Sequence, residues 1–171
     1  GNSATNGSGG GVYVNGGSFT MNDDTNSITN NTAAGNGGGV YVGSGSFNMN
    51  NSNIITNNTA TGHGGGVYVN SGTFTIGTFS SIANNNATGN GGGVYMNGSG
   101  PFTIESGSSI SNNTATNGGG VFVNGGSTFT MEDGDITGNK IASNDDSIET
   151  YGGGVYVNGG STFIMEDGDI S

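Results

Sequence analysis

The sequence predicts an all-β fold, a parallel β-helix solenoid of six triangular coils of about 27 residues with three short strands each. Three observations predict it. A Gly-Gly-Gly triplet begins at Gly9, Gly37, Gly64, Gly91, Gly118 and Gly152, at spacings of 28, 27, 27, 27 and 34 residues. Apolar residues after each triplet stand two positions apart, the spacing of side chains that share one face of a strand. No window carries a helical period, and the density of Gly and β-branched residues opposes helix throughout.

The first run of each repeat is Val-aromatic-(Val/Met), as in Val67–Val69. If its two aliphatic columns face inward, the residues between them form an outer aromatic ladder: Tyr13, Tyr41, Tyr68, Tyr95, Phe122 and Tyr156. Such a row either stabilises the sheet through cross-strand contacts or offers a surface to carbohydrate or a neighbouring filament. The second run is Phe-x-(Met/Ile), with Phe19, Phe47, Phe74, Phe102, Phe129 and Phe163 expected inside. Its outward positions are rich in Thr, for example Thr73/Thr75 and Thr128/Thr130, interrupted by Asn48, Pro101 and Ile164. Thr-x-Thr rows of this kind resemble the ice-contacting faces of some antifreeze β-helices, beside the plainer reading of strand-compatible Thr.

The third run joins an Ile column to an Ala column through Asn pairs, as in "ITNNTA" at Ile28–Ala33. Asn2, Asn31, Asn58, Asn85, Asn113 and Asn139 then form an internal ladder whose amides bond along the stack. The triple glycines mark a corner that needs unusual φ or close backbone approach. Like strands of successive coils lie parallel, about 4.8 Å apart. The general preference for right-handed parallel crossovers makes the expected coil right-handed. Residues 1–171 read as one β-helix segment, with a net insertion of seven residues at 141–151. Insertions in solenoids fall on loops, so Asp145, Asp146, Glu149 and Tyr151 are candidates for a specific contact.

Composition excludes several function classes. The net charge is −11, with Lys140 the single basic residue, so nucleic acid and anionic membrane are poor partners. Without cysteine, neither disulfides nor thiolate metal sites can hold the fold. No apolar run is long enough to span a bilayer, and no membrane insertion is expected in this segment. Paired carboxylates could in principle cleave a glycoside, but the chain has no Arg, one Lys and one His, and His63 stands where other copies carry Asn, Ser or Tyr. We expect no enzyme and no cofactor. Glu105, Glu132 and Glu166 share a column, with Asp133 and Asp167 beside the last two. Stacked carboxylates are either a solvated acidic edge or a weak calcium site. Asn-x-Ser/Thr sequons at Asn6, Asn30, Asn50, Asn57, Asn86, Asn97 and Asn112 are candidate glycosylation sites.

"TNNTATGHGGGVYV" (Thr56–Val69) and "SNNTATNGGGVFV" (Ser111–Val123) carry a family resemblance. They resemble the repetitive right-handed parallel β-helices of bacterial surface proteins, including polymorphic outer-membrane and autotransporter-type adhesin repeats. The resemblance covers the whole chain and implies architecture more than activity, since such arrays serve as stalks, passengers and filaments alike. It implies an extracellular or cell-surface structural rod in a surface fibre or adhesin stalk. The alternative is a carbohydrate- or ice-binding module using the Tyr or Thr ladder.

The ends of the sequence suggest a seam. Joining Ser171 to a second Gly1 sets the next triplet 28 residues after Gly152, and the six spacings then total 171. Ile170, Ser171, Gly1 and Asn2 would restore the Ile–Asn–Ala columns across the junction. The expected partner is therefore the chain itself, by head-to-tail stacking or covalent continuation, with glycans or neighbouring filaments as further candidates.

Overall fold

The computed structural model describes residues 1–142 and 149–171, so the candidate residues Asp145 and Asp146 lie outside the described residues. Among the described residues every regular element is a strand, and the strands form four parallel sheets of six. The Val sheet is built on strands such as Val67–Val69, and the Phe sheet on strands such as Thr73–Ile76. The Ile sheet uses strands such as Ser81–Ala83, and the Ala sheet two-residue strands such as Asn86–Ala87.

Each coil thus has four strands, where three were expected. The run from Ile to Ala is divided by a left-handed residue: Asn30 (φ 58°), Asn57 (φ 57°), Asn84 (φ 55°), Asn112 (φ 54°) and Gly138 (φ 62°). Asn tolerates this conformation better than other side-chain-bearing residues. The first Asn of each pair turns the chain and the second starts inward again, so Ile and Ala enter different sheets.

Like residues pair with like in every sheet: Val67 with Val94, Phe74 with Phe102, Ile82 with Ile110 and Ala60 with Ala87. A slip of one residue would turn each buried column outward, which pins the register. Across the insertion the pairing is kept, with Val121 on Val155 and Phe129 on Phe163. The core lies inside the coil. Phe47, Phe74, Phe102 and Phe129 are completely covered or nearly so, and the Phe rings stack at 4.5–5.1 Å from Phe19 to Phe163.

Two glycines of each triplet have separate causes. The first is left-handed, as at Gly64 (φ 66°). The second allows close approach: a Cβ on Gly65 would meet the carbonyls of Gly92 and Asn86, in the next coil.

Candidate functional site

The inner Asn column is a continuous hydrogen-bond chain. Asn31 donates its backbone N–H and Nδ2 to Oδ1 of Asn58, each at 2.9 Å. Asn58 does the same to Asn85, Asn85 to Asn113, and Asn113 to Asn139, over 2.8–3.0 Å. Asn2 starts the series on Asn31. The second Nδ2 hydrogen goes to a backbone carbonyl of the preceding coil, as from Asn85 to Ile55 (3.0 Å). Among the described residues no buried side-chain nitrogen or oxygen lacks a partner, which is the condition for a polar column to stand inside an apolar core.

A second ladder escaped sequence reasoning. Ser8, Asn36, His63 and Asn117 each accept a backbone N–H from the next coil, at Asn36, His63, Asn90 and Tyr151. His63 fills this role through Nδ1, 2.9 Å from the Asn90 nitrogen, and its ring stacks on Tyr95 at 4.8 Å. Burial lowers its pKa. The recurrence of acceptor side chains just before the glycine triplet was the available signal. A third, shorter ladder links Asn124 to Asn97 and Asn97 to Asn70 through side-chain amides at 3.1 and 3.2 Å.

The aromatic row lies outside the main core, yet its middle is not an exposed stripe. Tyr68, Tyr95 and Phe122 are 7%, 8% and 4% exposed and form a second apolar cluster, flanked by Tyr41 and Tyr156. Rings from Tyr13 to Phe122 stack at 4.8–5.2 Å within 8° of parallel, while Tyr156 is tilted by 52°. Burial, with the neighbouring phenols adding to it, raises the Tyr68 pKa to about 12; burial also raises those of Tyr41 and Tyr95. At neutral pH these three phenols are uncharged. Little ring face remains for a sugar except at Tyr13, which is 55% exposed.

The other candidates are more scattered. The outward Thr positions of the Phe sheet are exposed or half-buried, interrupted as the sequence indicates. Glu105 is half-buried, whereas Glu132, Asp133, Glu166 and Asp167 are exposed. Asp133 accepts a hydrogen bond from Ser106 (2.6 Å), and no three carboxylates converge on one point among the described residues. The sequon side chains at Asn6, Asn30, Asn50, Asn57, Asn86 and Asn112 are exposed and Asn97 is half-buried. Of the insertion, Tyr151 stacks on Tyr156 at 5.5 Å and its hydroxyl bonds Glu149. Phe79, which the sequence reading passed over, is 71% exposed at a left-handed turn position (φ 58°).

Four parallel sheets bound by internal amide ladders define a repetitive β-solenoid. Residues 27–43 and 54–70 match the Chlamydia polymorphic membrane protein repeat, so the chain carries repeats of this kind over about a fifth of its length. Each match starts on the Ile sheet, passes the Asn pair and the triple glycine, and ends on the Val sheet. No curated protein and no solved structure matches the chain.

Proposed function

We propose that the chain serves as a structural rod at a bacterial cell surface, within a surface fibre or adhesin stalk. The observation that carries this reading is the unbroken Asn ladder from Asn2 to Asn139, which links successive coils beside an inner core cluster made only of Val, Ile, Met and Phe. A core whose neighbouring coils are joined by repeated neutral amide bonds suits a spacer. The polymorphic membrane protein repeats support the surface location. Labelling of intact cells with antibody to this chain, with and without external protease, tests it. Surface label removed by protease is expected; label seen only after lysis would overturn the reading.

The partner in this reading is more of the same coil, joined by peptide bond or by contact between copies. Asn2 offers a free Oδ1 to a preceding coil, and among the described residues the Asn139 N–H has no acceptor, so the two are complementary. Purified polypeptide of this sequence should form filaments with an axial repeat near 29 Å, six strand spacings. A monodisperse monomer at high concentration would rule out stacking by contact.

A further inference from the structure

The chain contains eight Asn-Gly dipeptides, the sequence in which an asparagine side chain is most open to attack by the next backbone nitrogen, since glycine places no side chain in the way. The fold divides them into two sets. At Asn36, Asn90 and Asn117 the following glycine N–H is committed to the next coil: Gly37 to His63 O (2.9 Å), Gly91 to Asn117 O (2.9 Å) and Gly118 to Tyr151 O (3.0 Å). The side-chain oxygens of these residues are engaged too, each accepting from the coil above, as Asn36 Oδ1 does from the His63 N–H at 2.8 Å.

The second set lies on turns. Asn15, Asn97, Asn124 and Asn158 follow the Val strands, and among the described residues the N–H groups of Gly16, Gly98, Gly125 and Gly159 have no acceptor. Asn6 belongs here as well, because the Gly7 N–H reaches Ala4 O only at 3.5 Å. Asn6, Asn15 and Asn158 are exposed and have no side-chain partner among the described residues, whereas Asn97 and Asn124 are held in the short amide ladder.

We propose that the turn asparagines, led by Asn6, Asn15 and Asn158, are sites of spontaneous deamidation, and that the ladder asparagines Asn36, Asn90 and Asn117 are protected by the fold. The glycine nitrogen loses its proton and bonds to the Asn Cγ; the Cγ–Nδ2 bond breaks and ammonia leaves. Water then opens the cyclic imide at either carbonyl, giving aspartate or isoaspartate. The net change takes up one water, releases one ammonia and adds one negative charge, with no oxidant or enzyme. Asn124 reacts later, because its Nδ2 first has to release Asn97 Oδ1 at 3.1 Å. Once converted, it sets a carboxylate against that oxygen and weakens the corner. Charge therefore accumulates with age at the turns, most of it at the corner after the Val strands, while the interior ladders stay intact.

Incubation of the folded protein in warm, mildly alkaline heavy-oxygen water, followed by fragmentation mass spectrometry, locates each label. We expect Asn6, Asn15 and Asn158 to react about tenfold or more faster than Asn36, Asn90 and Asn117, whose reaction needs local opening of the coil. In urea the two sets should react at similar rates. Equal rates in the folded protein would overturn the proposal, as would the same ranking in the unfolded chain, which would trace the pattern to local sequence instead of the fold.

Discussion

The inner Phe stack and the outer Tyr stack share a spacing but not an environment. Phe rings repeat at 4.5–5.1 Å and the Tyr rings from Tyr13 to Tyr95 at 4.8–5.2 Å, both nearly parallel. That distance is the spacing of hydrogen-bonded strands, so backbone pairing sets it and the rings follow. Ring attraction alone favours offset or edge-to-face contacts. What separates the stacks is desolvation. Phe102 is fully buried among Val, Ile and Met, whereas Tyr95 keeps 8% of its surface and carries a hydroxyl beside Asn124. One stack holds the coil closed; the other covers a corner.

Truncation should separate them. Phe102→Ala is expected to cost about 3–5 kcal/mol in denaturant unfolding, since it opens a cavity that strands on both sides cannot close. Tyr95→Ala should cost less, about 1–3 kcal/mol, because solvent and neighbouring rings can fill the space. Equal losses would mean that the Tyr row is a second core and not a cover.

Alkali should act on the outer stack alone. Folding holds the Tyr68 pKa near 12, above the ordinary value of 10. The folded state therefore keeps a proton that the unfolded chain gives up, and this contribution is complete below pH 10 and lost as pH rises toward 12. A melting curve followed across that window should fall, and Tyr68→Phe should flatten the part due to this residue, leaving neutral-pH stability little changed.

Acid should find the one imidazole beneath the same stack. Burial lowers the His63 pKa, so the neutral ring that accepts the Asn90 N–H contributes stability above the unfolded value of 6.5, lost as pH falls through the lower folded value. A small drop in melting temperature in that window is expected, and His63→Asn, which restores the residue used at Asn36 and Asn90, should abolish it. An unchanged acid limb in that variant would assign the drop to carboxylates elsewhere.

Much of this was legible because a solenoid repeats its evidence. Six aligned copies expose the Val, Phe and Ile columns as inward, and the second Asn of "NNTA" as an internal ladder residue. The fourth strand was not legible, because Ile28 and Ala33 stand only five positions apart and alternation cannot register a left-handed Asn30 between them. The cover over the Tyr row was also hidden. Period-two reasoning says which side of a strand a ring leaves from, but not that adjacent rings shield one another once strands close to 4.8 Å. The role of His63 was hidden in a column that varies among Ser, Asn, His and Tyr, because accepting a backbone N–H, as Ser8 and Asn36 also do, is a property of lone pairs and not of residue type.

The inner amide chain also gives the rod a direction. Every link from Asn2 to Asn139 donates toward the C-terminal coil and accepts from the N-terminal one, so its dipoles add as vectors instead of cancelling. Aligned peptide dipoles in a helix produce partial charges of opposite sign at its two ends, and a column of aligned carboxamides does the same on a smaller scale. Its positive pole points toward the coil that carries Glu166, Asp167 and Asp169. Two such columns meeting head to head would oppose oxygen to oxygen. The architecture is therefore an arrow, and any longer structure built by extending it inherits one polarity throughout.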